Sequence, residues 1–288
     1  MFSRISLPLD GSRLAEQILP FARFFAVPLN LPVDLFTVIE SASDHPSWSP
    51  ASARAYLEGV REKYFSSVIS TNFHIETGEA ATVIIERYRH DPHCLIAMAT
   101  HGMSGLRRWL MGSVTSKVVQ HAANPLLVIR PTEKADPVTP VSLKTIILPL
   151  DGSGLAEKVL PSVVALARPL KLEVQLVRAY TPAAEAYIIT DGLIAQSTAQ
   201  FNESLKAEVE TYLEGKLQAL RAEGLENVTT AAVLGDAASE IIDFARRTDN
   251  NLVAMSTHGR SGVGRWLVGS IAEKVVQHSQ DPVLLFRP

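Results

Sequence analysis

The sequence lacks the residues that staple a chain covalently or carry it through a bilayer. One cysteine, Cys94, stands among 288 residues. A single thiol excludes an internal disulfide and a cysteine-based zinc site. No stretch approaches the roughly 18 consecutive apolar residues that a spanning helix requires. The opening Met1-Phe2-Ser3-Arg4-Ile5-Ser6-Leu7-Pro8-Leu9-Asp10 holds too short an apolar run for a secretory signal. Charge of one sign is also missing, since 27 Lys and Arg against 30 Asp and Glu leave a net −3. That balance supplies no drive toward nucleic acid or an anionic membrane surface. These absences predict a soluble, cytoplasmic chain with neither nucleic acid nor membrane as a partner. What is present, 47% hydrophobic and 20% charged residues with 16 Gly and 17 Pro, rules out a collagenous or disordered chain.

The length, about twice that of a usual single domain, resolves into a tandem repeat. Ile5-Ser6-Leu7-Pro8-Leu9-Asp10-Gly11-Ser12 returns as Ile146-Ile147-Leu148-Pro149-Leu150-Asp151-Gly152-Ser153. Ala97 to Pro131 matches Ala254 to Pro288 at about 21 of 35 positions. The offset grows from 141 at Asp10/Asp151 to 157 at Gly102/Gly259, so the second copy carries a net insertion of 16 residues. Tyr56-Leu57-Glu58-Gly59 and Tyr212-Leu213-Glu214-Gly215 are offset by 156, which places nearly all of the insertion before Tyr212. Pro131 to Ser142, with three prolines and no apolar period, reads as a linker between domains at 1–135 and 143–288.

Within each copy, short apolar runs alternate with helix-period segments. Strands are predicted at Ile5–Leu9, Val33–Ile39, Phe73–Thr77, Cys94–Ala99 and Leu126–Arg130. Their counterparts are Thr145–Leu150, Leu172–Ala179, Val228–Leu234, Leu252–Ser256 and Val283–Arg287. Helices are predicted near Leu14–Ala26, Ala53–Ser70, Thr82–His90 and Ser113–Ala122, with an extended second helix over Leu193–Glu223 in copy two. Pro20 and Pro161 fall in the first-helix pattern, so that helix should kink or start late there. Five strands with interleaved helices imply an α/β fold of two doubly wound, mainly parallel five-stranded sheets. Ligands in such sheets bind beyond the carboxyl ends of the strands, where strand order reverses. The best-matched repeat segments end strands one and four.

After strand four comes Thr100-His101-Gly102-Met103-Ser104-Gly105, and Gly112-Ser113 then opens the fourth helix. Copy two has Thr257-His258-Gly259-Arg260-Ser261-Gly262, then Gly269-Ser270. Glycines let backbone N–H groups approach an anion, and a helix N-terminus adds free N–H groups and partial positive charge. Ser113 and Ser270 offer hydroxyls, and Arg107, Arg108, Arg260 and Arg265 lie in or beside the loops. The alternative is a tight turn with an N-cap, for which Ser270 to Glu273 reads as a capping box. Asp10 and Asp151 suit a ribose, an adenine or a metal held through water, or else turn chemistry before the first helix. His101 and His258 have no orienting acid or nucleophile at a recognisable spacing, and read as loop-ordering residues. Trp109 and Trp266 read as loop anchors, Cys94 as an inert core residue, and His121 and His278 as helix C-terminal cations.

On these residues the chain resembles a tandem universal stress protein, two UspA-type, Rossmann-like domains in one polypeptide. Nucleotide-binding members carry Gly-x2-Gly-x9-Gly-Ser/Thr. Gly102-x9-Gly112-Ser113 and Gly259-x9-Gly269-Ser270 match its later part, while the first glycine is Ala99 in copy one and Ser256 in copy two. The resemblance implies that Asp10 and Asp151 face an adenosine and that the backbone of Val38 and Ala179 contacts the base. It also implies pairing of the last strands into an internal pseudo-dimer, with a homodimer as the further assembly. The expected ligand is ATP or a related adenine nucleotide, ADP or AMP, with Mg²⁺ as a companion ion.

Three functions then compete: a non-enzymatic nucleotide-binding stress protein, a slow ATPase, and an interaction module without nucleotide. Gly-x4-Gly-Lys-Ser/Thr is absent, which excludes a P-loop NTPase. His-x-Gly-His and Ser-Gly-Gly-x-Asp-Ser, the signatures of adenylyl-transferring relatives of this fold, are absent too. No catalytic or metal-ligating residue is assigned. Glu273 in the first turn of the last helix, where copy one has Ser116, predicts tighter binding in copy one. The adjacent Arg107 and Arg108 point the same way.

Overall fold

A computed structural model describes residues 2–40, 49–65, 69–102, 111–132, 135–181, 193–257 and 268–287. Among these residues ten strands form one sheet. In the first half they are β1 (Arg4–Pro8), β2 (Val33–Ile39), β3 (Thr71–Thr77), β4 (Cys94–Ala99) and β5 (Leu126–Ile129). In the second they are β6 (Thr145–Pro149), β7 (Glu173–Tyr180), β8 (Val228–Leu234), β9 (Asn251–Ser256) and β10 (Val283–Phe286). Their spatial order is 3-2-1-4-5-10-9-6-7-8. Pairs within each half are parallel, whereas β5 and β10 meet antiparallel with Leu127 opposite Leu284. The two expected five-stranded sheets are therefore joined edge to edge through their last strands. That contact removes two edges that would otherwise present unpaired backbone groups.

The helices follow the proline and glycine punctuation. The first predicted helix is two pieces, α1 (Arg13–Glu16) and α2 (Leu19–Leu29), with Pro20 in the first turn of α2, where its missing N–H costs nothing. Copy two repeats this as α6 (Gly154–Glu157) and α7 (Leu160–Leu170), with Pro161 in the first turn of α7. Copy one continues with α3 (Pro50–Val60), a π-helical turn at Arg61–Phe65, α4 (Ala80–Tyr88) and α5 (Ser113–His121). Copy two has α8 (Leu193–Ala222), α9 (Ala237–Arg247) and α10 (Ser270–His278). The inserted residues thus appear in part as extra turns at the start of α8, which runs for 30 residues.

Both faces of the sheet carry apolar cores that run through the two copies. One joins Ile5, Leu7, Phe25 and Leu57 to Ile146, Leu148, Leu213 and Leu284, and the other joins Phe36, Ile96 and Val118 to Ile147, Val253 and Val275. Full burial of each such side chain contributes about 1.5–3 kcal/mol. At the junction Phe2 stacks on Phe286, with ring centroids 6.2 Å apart. Arg130 donates to the Gln277 carbonyl at 3.3 Å, and Arg287 in turn donates to the Val119 carbonyl. Each copy's last strand thereby supplies a cation to the carbonyl end of the other copy's last helix, the end that favours positive charge. Gln17 holds the beginning of the linker, donating to the Thr132 carbonyl at 2.7 Å and accepting from its amide at 2.9 Å. Among the described residues no helix is long and apolar enough to cross a membrane.

Candidate functional site

In each half the chain steps from β1 outward to β2 and β3, then returns to the other side with β4 and β5. This reversal opens a crevice beyond the carboxyl ends of β1 and β4, and beyond β6 and β9 in copy two. The copy-one crevice is a cavity of about 330 Å³ that brings together Asp10, Val38, Ala99, Gly102, Gly112 and Ser113. The copy-two crevice, about 740 Å³, brings together Asp151, Ala179, Ser256, Gly269 and Ser270. Eleven of the twelve site residues expected from sequence therefore line two equivalent crevices. The twelfth, Gly259, lies outside the described residues, as do His258, Trp109, Trp266, Arg107, Arg108, Arg260 and Arg265.

Asp10 and Asp151 follow the last residues of β1 and β6. Each accepts a hydrogen bond from the amide two residues on, Ser12 and Ser153, both at 2.9 Å. Ser12 and Ser153 then cap α1 and α6 through their hydroxyls. Turn chemistry is thus realised at both aspartates, with Gly11 and Gly152 at φ of 82° and 85° between aspartate and cap. The same carboxylate still faces the crevice, since a Cβ added to Gly102 would lie 1.9 Å from Asp10 Oδ2. Glycine at 102 is what permits that approach.

Backbone direction gives Val38 and Ala179 a definite role in the crevice wall. The Leu9 amide donates to the Phe36 carbonyl at 2.8 Å, and the Gly78 amide donates to the Ile39 carbonyl at 3.1 Å. Alternation along β2 therefore turns the amide and carbonyl of Val38 toward β1, which has already ended at Pro8. Copy two repeats the geometry, with Leu150 donating to Val177 and Gly235 to Tyr180, so the polar backbone of Ala179 faces the second crevice. Each residue thus offers a donor and an acceptor beyond the last ladder pair of the neighbouring strand.

The start of the last helix corrects the capping-box reading. The N-caps are Gly112 and Gly269, which have no side chain to bond the first turn, and Ser113 and Ser270 are the first helical residues. Glu273 instead accepts from Gln277 Nε2 at 3.2 Å, one turn further along α10. Its carboxylate is thus engaged away from the helix start, which removes one ground for expecting weaker anion binding in copy two. The two N-caps are anchored by their own amides, Gly112 to the Thr100 carbonyl at 2.8 Å and Gly269 to the Thr257 carbonyl at 2.7 Å. This leaves the first turns of α5 and α10 at the crevices without a side-chain cap, the kind of helix end that suits an anion.

The remaining side chains take structural positions. His101 is buried, with Nδ1 2.9 Å from the Thr100 hydroxyl. His121 and His278 end α5 and α10. Cys94 is fully buried at the start of β4, and burial raises its thiol pKa, which keeps it unreactive. Arg178, in the second crevice, was missed from sequence, although aligning β7 on β2 exposes it as the counterpart of Thr37.

A pair of doubly wound half-sheets, each with an aspartate, a strand-end backbone and a glycine-led helix at one crevice, defines a tandem α/β protein with two corresponding crevices. The chain belongs to the universal stress protein family, whose model matches it twice, over residues 1–130 and 142–287. A universal stress protein of Methanocaldococcus jannaschii, MJ0531, is 29% identical over 145 residues, 50% of this chain and 82% of that protein. Universal stress protein YxiE of Bacillus subtilis is 28% identical over 144 residues, 48% of this chain and 95% of its own. Among solved structures, a protein of unknown function from Pseudomonas aeruginosa, PA1789, superposes with a TM-score of 0.71 at 18% identity, covering 100% of this chain and 93% of its own. A universal stress protein from Archaeoglobus fulgidus gives 0.68 at 17% identity, covering 99% and 97%. These two similarities establish the fold of the whole chain.

Proposed function

We propose that the protein binds an adenine nucleotide, ATP or its relatives ADP and AMP, in each of its two crevices, as a non-enzymatic member of its family. The observation that carries this reading is the convergence, twice in one chain, of an exposed strand-end backbone, a carboxylate and an uncapped helix N-terminus. Val38 and Ala179 supply the base edge, Asp10 and Asp151 the ribose contact, and Gly112-Ser113 and Gly269-Ser270 the phosphate end. Mg²⁺ would enter with the phosphates.

A ligand that binds only the folded state stabilises it by about 2.7 kcal/mol at a hundredfold excess over Kd. Thermal unfolding with ATP, ADP, AMP and GTP, with and without Mg²⁺, is expected to show a shift with the adenine nucleotides. No shift, together with no nucleotide carried through purification, overturns the proposal.

The interaction-module reading is favoured by one departure, Ala99 and Ser256 in place of the first motif glycine. Both residues end extended strands, paired in register with Ile129 and Phe286, where the backbone accepts any side chain. The departure therefore leaves the crevice open, and nucleotide binding remains the better reading. Light scattering distinguishes the two, since a fixed oligomer without nucleotide supports a docking module.

A further inference from the structure

We propose that Arg178 gives the second crevice an anion-binding position with no counterpart among the described residues of the first. The second site would then select ligands carrying an additional phosphate or carboxylate on the side facing α8. This inference builds on the nucleotide reading of the same crevice and is tested separately from it.

Side-chain alternation places Leu176 in the core on the α8 side of the sheet and Val177 in the core on the other side. Arg178 therefore points to the α8 side, at the carboxyl end of β7 and against the strand-one turn. Its guanidinium lies 4.7 Å from the Tyr212 ring centroid and 3.2–3.3 Å from where a Cβ on Gly152 would sit. The residue is only 8% exposed and lines the cavity. Its ion-pair partner, Glu208 on α8, stands 4.0 Å away, beyond hydrogen-bond reach, and the Glu208 side chain is 70% exposed. Glu157 is already committed, accepting from the Tyr212 hydroxyl at 2.9 Å and pairing with Lys216 at 2.7 Å. Among the described residues none accepts a hydrogen bond from the Arg178 guanidinium. A buried cation without a hydrogen-bonded counter-ion is costly, and an anion delivered by a ligand relieves that cost. The planar fork of arginine suits phosphate or carboxylate.

Among the described residues, copy one has no arginine in its crevice. Thr37 stands at the same register, and its hydroxyl is satisfied by the Leu9 carbonyl at 3.1 Å. The copy-two cavity is also larger, about 740 against 330 Å³, and gains a wall from Leu205, Glu208 and Val209 of α8. No residue of α3, the counterpart of α8, lines the first crevice. Room and charge thus coincide on the same side of the second site.

Calorimetric titration of the full chain with adenosine, AMP, adenosine 3′,5′-bisphosphate and pyrophosphate tests the proposal. Arg178→Thr copies the residue that copy one tolerates, and its folding is checked by the unfolding midpoint. The bisphosphate should bind one site more tightly than AMP does. Arg178→Thr should weaken that site about ten- to hundredfold, the worth of a hydrogen bond to a charged group, while leaving adenosine unaffected. Glu208→Gln, which removes the competing carboxylate, should tighten bisphosphate binding. Unchanged bisphosphate affinity in Arg178→Thr, an equal loss for adenosine and bisphosphate, or no binding of any probe overturns the proposal. Pyrophosphate binding that depends on Arg178, with no adenine ligand bound, supports the Arg178 site and overturns the nucleotide reading instead.

Discussion

Gly102 and Gly112 serve the first crevice for different reasons, and their alanine variants should separate them. A Cβ at Gly112 would meet the Thr100 backbone carbonyl at 2.8 Å, and no side chain can move to relieve it. Gly112→Ala should therefore cost about 1–3 kcal/mol of stability, read as a lower urea midpoint. At Gly102 the obstacle is the Asp10 carboxylate, a side chain that can rotate once its bond to the Ser12 amide is given up. Gly102→Ala should leave the urea midpoint closer to the parent and reduce nucleotide affinity at copy one. Equal effects of both variants on both measurements would contradict this division. Motif spacing was enough to single out both glycines, but not what each one touches. Arg178 went unnoticed because one strand position in a repeat carries no motif, and its chemistry depends on Tyr212 and Glu208 arriving from a distant helix.

At the scale of elements, caps and prolines set most boundaries and one cap adds a pH dependence. Glu79 caps α4, accepting from the Thr82 amide at 2.8 Å and from the Thr82 hydroxyl, and it pairs with Lys117 of α5 at 3.0 Å. The Thr82 hydroxyl and Lys117 hold its carboxyl at about 2, below the ordinary 4.5. A depressed carboxylate contributes stability above its unfolded pKa and loses it as pH falls through the folded value. Stability should decline between about pH 4.5 and pH 2, and Glu79→Gln should flatten that decline. Because the side chain is 45% exposed, the effect should stay below about 1 kcal/mol. Urea midpoints of both proteins across that range provide the check, and parallel curves would rule out the role of Glu79. Strand positions were legible from apolar runs bounded by turns. The split of the first helix was foreshadowed by Pro20 and Pro161. The π-helical turn at Arg61–Phe65 had no sequence signal, because it alters the local winding within a continuous helical period.

Across the whole molecule, the β5–β10 pair and the two shared cores make the copies mutually dependent. A fragment of residues 1–135 would expose the edge of β5 and the apolar surface that Phe286 and the second copy cover. It should recover these contacts from a second copy of itself and run as a dimer in light scattering. A stable monomeric fragment would show that the junction contributes little. Pairing of the last strands was expected from family resemblance, since periodicity within either copy says nothing about which edge meets which; that they meet antiparallel is a finding of the structure.

The repeat, the order of strands and helices and the placement of the glycines were determined by sequence alone, because each is a local pattern with a fixed period or spacing. Tertiary structure decided the rest: among the described residues, a single ten-stranded sheet, a Glu273 carboxylate turned along its helix, and two crevices of unequal size, of which the second is lined by Arg178. The sheet and the crevices depend on distances between residues far apart in the chain, and the Glu273 contact on where α10 starts. In copy two, that packing brings a buried arginine to the position where copy one has a threonine hydroxyl bonded to the Leu9 carbonyl.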